Sequence, residues 1–372
     1  MGHQTPEHDD YSTFNTSPSN VNNASISVRD YILYLPYPMP RDGPVPYSTH
    51  IPSDPLDYGS PGEPTSTLVL TSPRNTFVDL RILKTVPNTG PQTPNGGPIN
   101  MLDWGFSGCS WSEPKRVVGL FGSGKGPDGQ RRKIKGRFGD GNPAGVAIRH
   151  AHWSHWVDSR VAVGAVAPVD EGDLWPMDDG RELEVGHAKN PFTGKEVNHE
   201  EMWRNVAILP CGPTQHKIYT VLRIQNDTLL TRGVVIRIGQ FCQGILKVGQ
   251  QVCVERWEYM ASNEVKDGLC STMQAGQDGV NGIPPTAHAG QDGVYSTVSA
   301  AQNGINTGPT HQAPPAPSSQ LGEWTRTVRL GDMFLPCAVA MKVGEPGIES
   351  RVGDVVTYGD LRWVVEECGG WM

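Results

Sequence analysis

Two segments of this chain change side-chain character at every residue, and a period of two is the signature of a half-buried β-strand. In the first, Phe77, Asp79, Arg81 and Leu83 share one face, and Val78, Leu80 and Ile82 share the other. Thr67-Leu68-Val69-Leu70 precedes it across Thr71-Ser72-Pro73-Arg74-Asn75, a turn composition. In the second, Tyr219–Ile224 and Gly233–Ile238 flank the turn Gln225-Asn226-Asp227. Helical periodicity is scarce. The best candidate is His199–Val206, where Met202, Trp203 and Val206 would form one apolar side of a short helix. The alternation predicts an all-β chain.

The order of features repeats. Each hairpin is followed by a Trp-bearing strand (Asp103-Trp104-Gly105-Phe106; Glu255-Arg256-Trp257-Glu258) and then by another (His152–Asp158; Glu323–Val328). Each half then reaches an acidic Gly-Asp turn, Asp170–Asp173 and Arg351–Asp354. A duplicated β-unit follows, and meandering strands of this number close most readily into barrels without free edges. The expected architecture is two lipocalin-like antiparallel β-barrels in tandem: a disordered tail over 1–26, one barrel over 27–210 and a second over 211–372. Both strand faces carry aromatics, so parity does not say which face points inward.

Gly (44) and Pro (32) are abundant, and they concentrate outside the strands. The Pro-rich stretch 36–64 reads as a long loop. Residues 261–322 carry the repeat Ala275–Val280, again at Ala289–Val294, and the run Ala313-Pro314-Pro315-Ala316-Pro317. Such a composition buries too little apolar surface to offset its ordering entropy, so it reads as a disordered insert. A net charge of −8 argues against a nucleic-acid binder. No apolar run reaches membrane-spanning length, and the polar N-terminus is no signal sequence. Seven scattered cysteines without a Cys-x-x-Cys pair fit reduced thiols in a cytoplasmic protein.

Several motifs dissolve on inspection. Gly119–Gly126 nearly spells a phosphate loop, but Gly126 stands where Ser or Thr must reach magnesium, and Pro127 follows. The basic run Gln130–Arg137 lacks aromatics to stack bases and reads as a solvated loop. His150 and His152 share a strand face, as metal ligands would, but no third ligand is evident, so no metal is assigned. No Gly-x-Ser-x-Gly elbow or spaced carboxylate pair marks a hydrolase. Ten tryptophans remain, enough both to pack barrels and to line an apolar cavity.

Glu63–Pro73 (EPTSTLVLTSP), Phe77–Arg81 (FVDLR), Leu102–Gly108 (LDWGFSG), His155–Ser159 (HWVDS), Asn190–Gly194 (NPFTG), Glu200–Arg204 (EEMWR) and Arg237–Gly244 (RIGQFCQG) resemble a fungal two-barrel, lipocalin-like family. One branch of that family is a housekeeping protein that partners a casein-type kinase. The other sits in secondary-metabolite clusters and includes hetero-Diels–Alderases of tropolone sesquiterpenoids. The long Pro-rich segment, the basic loop and the insert depart from the compact housekeeping pattern. The resemblance therefore implies a pericyclase without cofactor, which joins a tropolone o-quinone methide to a humulene-type sesquiterpene. The alternative it implies is a non-catalytic binding protein with a kinase partner. A homodimer is compatible with either. On presumed strands beside the family-like motifs, His152, Arg237, Trp104 and Gln240 are the candidate hydrogen-bond or proton donors, and Phe106, Trp156 and Trp257 the candidate walls. Packing is the competing reading for each.

Overall fold

In a computed structural model, the described residues are 24–35, 62–85, 95–117, 146–177, 179–190, 193–212, 216–260, 322–344 and 348–372. All belong to one compact unit. The expected tail up to residue 23, most of the Pro-rich loop, the phosphate-loop-like segment, the basic run and the repeats of the insert lie outside them.

The chain is all-β. Nine strands form the first sheet: β1 (Ser25–Leu35), β2 (Thr65–Thr71), β3 (Thr76–Leu83), β4 (Leu102–Val117), β5 (Val146–Trp153), β6 (Val157–Asp158), β7 (Glu171–Pro176), β8 (Glu182–Lys189) and β9 (Glu196–Asn205). Their order is β3-β2-β1-β9-β8-β7-β5-β4, and β4 pairs back onto β3, which closes an eight-stranded antiparallel barrel. The short β6 adds to β4. The second sheet is an antiparallel ribbon of seven strands, β10 (Lys217–Asn226), β11 (Thr231–Ile238), β12 (Phe241–Val248), β13 (Gln251–Met260), β14 (Glu323–Leu330), β15 (Val355–Tyr358) and β16 (Leu361–Trp371), in the order β14-β13-β12-β11-β10-β16-β15. Its edge strands β14 and β15 do not pair with each other, so it is a barrel-like sheet rather than a closed ring.

The β2–β3 hairpin turns where its composition predicts. Asn75 donates its N–H to the Ser72 carbonyl and takes a positive φ of 67°, which Asn tolerates better than most residues. Two local expectations are corrected. His199–Val206 is not a helix: it lies in β9 and its end, because Met202 and Trp203 point to opposite faces and the strand pairs with β1 and β8 along its length. Asp170–Asp173 is not a closing turn, since Glu171 begins β7. A short helix, α1 (Cys337–Lys342), was not expected.

The two sheets pack through an apolar layer. Ile26, Val28, Leu68, Leu70, Val78, Leu80 and Ile82 on the outer wall of the barrel meet Val234, Ile236, Ile238, Ile245, Val254 and Val328 of the second sheet. Buried polar side chains staple the layer. Arg256 donates to the Ser66 and Leu80 carbonyls, Gln243 to those of Leu68 and Val78, and Lys247 Nζ to those of Asp158, Ser159 and Val161. Each reaches across the layer to backbone carbonyls of the first sheet and its β6 end.

Candidate functional site

With Val78, Leu80 and Ile82 committed to the layer between the sheets, strict alternation turns Phe77, Asp79 and Arg81 into the barrel. Contacts confirm this direction. Arg81 Nη1 of β3 lies 3.2 Å from Glu201 Oε1 of β9, although β2 and β1 stand between those strands in the ring. Such a contact runs through the interior of a closed barrel. On β1, Ile26 and Val28 face the outer layer, so alternation turns Arg29, opposite Trp203, inward; a bulge between Arg29 and Tyr31 then shifts the parity, so that Tyr34, opposite His199, faces inward as well.

Glu201 is the hub of this lumen. Its Oε1 is 3.0 Å from Arg29 Nη1 and 3.9 Å from His199 Nε2, besides its contact with Arg81. Arg29 also bonds Glu63 (2.6 Å) and Thr65 Oγ1 (3.1 Å), and Arg81 bonds Asp79 (3.0 Å). Glu184 of β8 lies 3.9 Å from His199 Nε2 and accepts the Trp203 indole N–H at 2.9 Å.

The electrostatics separate the two lumen glutamates. Burial alone would raise Glu201, but the guanidinium groups of Arg29 and Arg81 and the His199 imidazole outweigh it and hold the carboxyl at about 2. Glu184 has no guanidinium beside it, and burial pushes it up to about 7 despite His199. His199 is raised: burial opposes its charge, but the carboxylates of Glu184 and Glu201 overcome that penalty. Its Nδ1, Asp79 Oδ1 and Glu201 Oε2 are buried without a hydrogen-bond partner. Buried polar atoms are nearly always satisfied, so these unpaired ones are points at which a buried water or a ligand group can bond.

One wall of the lumen is aromatic. The Arg81 guanidinium lies 5.1 Å from the Trp104 ring and 5.7 Å from Phe106. Phe106 stacks on His155 at 4.2 Å. His155 is clamped between Asp158 (2.7 Å) and Asp170 (2.9 Å), and Trp104 Nε1 donates to Asp158 at 3.1 Å. Burial disfavours the charged imidazole, but its two carboxylate partners raise it to about 9.

Of the seven residues singled out from sequence, Trp104 and Phe106 meet in this lumen. The other five lie elsewhere. His152 sits on the opposite face of β5, stacked on Trp111 (5.1 Å). Arg237 belongs to the second sheet, where it donates to the carbonyls of Gly239, Met341 and Val343 and caps α1. Gln240 bridges the Leu209 N–H and the Ala207 carbonyl. Trp156 packs beneath Arg223 (3.7 Å), and Trp257 donates to Glu255 (2.9 Å). Arg29, Arg81, Glu184, His199 and Glu201 were not among those seven. The legible signal was the charged parity of Asp79 with Arg81 on β3, whose other face is apolar; β9, whose other face is polar apart from Met202, gave no such signal for His199 and Glu201. Among the described residues, the one group able to gather metal ligands is His150, His152 and Glu171, outside the lumen.

A closed antiparallel barrel with an ionised lumen, backed by a second antiparallel sheet, defines a class of two-sheet β-barrel proteins. The family model described as Protein HRI1 matches residues 55–367, and the chain belongs to this HRI1 family. The crystal structure of the uncharacterized protein YLR301w from Saccharomyces cerevisiae is similar at 14% identity and a TM-score of 0.47, with 93% of this chain and 99% of that one covered. No curated protein matches the chain. Among the described residues, no helix is long and apolar enough to cross a membrane.

Proposed function

We propose that the chain is a hetero-Diels–Alderase needing no cofactor, and that the lumen of the first barrel is its reaction chamber. In this reading a tropolone o-quinone methide lies against Trp104 and Phe106, and a humulene-type alkene adds across it. The supporting observation is the buried, unpartnered Nδ1 of His199, an imidazole whose charged form is favoured by two carboxylates. A fixed donor of this kind, aimed at the heterodiene oxygen, lowers the barrier because it needs no reorganisation as charge develops. Holding both reactants in one chamber supplies the entropic part. Formation of the quinone methide from a hydroxymethyl precursor breaks the C–O bond and releases water. One proton goes to the leaving hydroxyl and one leaves the tropolone hydroxyl, so the step is neutral overall. Glu184, at about 7, is matched to give and regain that proton.

A second reading rests on another observation. Arg29 and Arg81 are already matched by Glu63, Glu201 and Asp79, as an internal structural network would be. Under it the chain is a non-catalytic binding protein that partners a casein-type kinase.

Turnover separates the two. The purified chain is incubated with a hydroxymethyl tropolone and a hydroxylated humulene, and products are resolved by mass spectrometry and chiral chromatography. The expected result is one stereoisomer formed faster than in buffer, with the rate falling about 100-fold in His199→Gln. Adduct at the background rate and isomer ratio would sink the catalytic reading.

A further inference from the structure

The outer wall of the first barrel carries a second cluster that the lumen chemistry does not use. In the β5–β7 register His150 stands opposite Asp173 and His152 opposite Glu171, so all four side chains share one face. That face is the outer one, because Gly172, between Glu171 and Asp173, abuts the lumen residue Glu184.

We infer that His150, His152 and Glu171 form a binding site for a divalent transition-metal ion of the zinc class. Their ligand atoms all lie within 4.8 Å of one another. Glu171 Oε2 is 3.7 Å from His150 Nε2 and 3.4 Å from His152 Nδ1. Zinc bonds to nitrogen and oxygen of about 2.0–2.1 Å, at tetrahedral angles, put neighbouring ligands about 3.3 Å apart. Two of the three separations are therefore close to the edge of such a tetrahedron, the third is within 4.8 Å, and side-chain rotations complete it.

The surroundings orient these groups as ligands. His150 Nδ1 lies 2.7 Å from Asp173 Oδ1, so a neutral ring donates its Nδ1–H there and turns the lone pair of Nε2 toward Glu171. Two acceptors then face each other across a short gap, an arrangement that a cation between them relieves. Asp173 is held in turn by Lys115 Nζ (2.8 Å), whose charge is thereby offset. Carboxylates that fix the second nitrogen of a ligating histidine in this way commonly set its tautomer and strengthen the site. The His152 ring is fixed from its other side by the stack on Trp111, with planes 12° apart. Two imidazoles and a carboxylate are borderline ligands, which suits zinc, nickel or copper and not magnesium or calcium. Three protein ligands leave one position for water or an exogenous ligand.

The test is isothermal titration of the full chain with zinc chloride after removal of metal by EDTA, repeated optically with cobalt. One equivalent should bind, with the d–d absorption of a tetrahedral N/O site and no thiolate charge-transfer band. His150→Ala and Glu171→Gln should each weaken binding at least about 100-fold. Asp173→Asn, which touches no metal, should weaken it about 10- to 100-fold. His187→Ala removes an exposed histidine 3.7 Å from Glu196, another His–Glu pair, and should change nothing. Lack of a stoichiometric site, thiolate bands in the cobalt spectrum, or undiminished zinc affinity in His150→Ala would each overturn the assignment.

Discussion

The two halves share a plan and fill it with opposite chemistry. In each, the first strand pairs with the last, β1 with β9 and β10 with β16, and the last two strands form a hairpin. In the first half β7 bridges β5 and β8, and the ring closes around arginines, glutamates and a histidine. In the second, the chain between β14 and β15 forms α1 instead. Leu335, Cys337, Ala340 and Met341 pack onto Leu222, Val235, Leu246 and Trp363, which fills the concave face with side chains. One strand more or less decides whether a ring closes on ionisable side chains or an open sheet buries an apolar plug. The lumen side is where ionisable groups collect, and so where function is sought.

The largest expected effect strikes the first half. Glu201→Ala removes the carboxylate shared by Arg29, Arg81 and His199 and leaves buried cations poorly compensated. Breaking a buried pair in this way costs about 3–5 kcal/mol. Urea unfolding should show that loss. If the variant is as stable as the parent, water reaches the lumen freely and the network is not a buried one.

A second effect separates the halves by pH. His155 is raised to about 9 from its ordinary 6.5, so its favourable contribution is complete below 6.5 and lost as pH rises through 9. The shift corresponds to about 3 kcal/mol. His199 is raised too and acts in the same direction. Glu184 acts in the same direction at lower pH: raised to about 7 from 4.5, it loses stability as pH climbs through that interval. In the second half, burial pushes the Cys253 thiol up to about 12 and raises Cys337, keeping both neutral below pH 9, while burial raises the Glu367 carboxyl above its ordinary 4.5. Denaturation between pH 6.5 and 9 should thus show declining stability in the parent and a much flatter profile in His155→Gln. An unchanged slope in that variant would assign the pH dependence elsewhere.

How far the sequence reveals this contrast depends on the kind of signal. Hairpins are local: the alternation of Phe77–Leu83 and the turn at Ser72–Asn75 place β2 and β3 closely, and the same holds for β10 and β11. The direction of each face is not local. Asp79 and Arg81 alternate with Val78 and Leu80 whichever side is inside, and only the second sheet, which claims the apolar face, decides. His199–Val206 misleads because Met202 and Trp203, adjacent on opposite faces of β9, also suit one side of a helical turn. The duplication was visible but one strand out of register. The first hairpin was matched to β10–β11, whereas the ring pairing equates β1 with β10. Trp104 and Phe106 were picked out as strand residues beside the family-like motifs, and parity alone did not turn them inward. Arg29 was not picked out, since its alternation with Ile26 and Val28 points inward only once the second sheet claims those two side chains.

The smallest effect tests the comparison most sharply, since it uses one change in both halves. Gly186 of β8 lies under His199: a Cβ there would come within 2.5 Å of the imidazole Cε1. Gly233 of β11 lies under Trp363, where a Cβ would meet the indole at 2.7 Å and Ile224 at 2.9 Å. Both glycines exist for close approach, and alanine at either overpacks its side at about 1–3 kcal/mol. The consequences should then diverge. Gly233→Ala displaces an apolar plug, so it should lower the melting temperature and leave the His199 proton resonances where they were. Gly186→Ala moves His199 relative to Glu184 and Glu201, so NMR titration should show its imidazole losing its proton at lower pH, by a change larger than the stability loss explains. Equal titration of His199 in the two variants would mean that the halves are coupled through the apolar layer, and that the lumen is not an independent chamber.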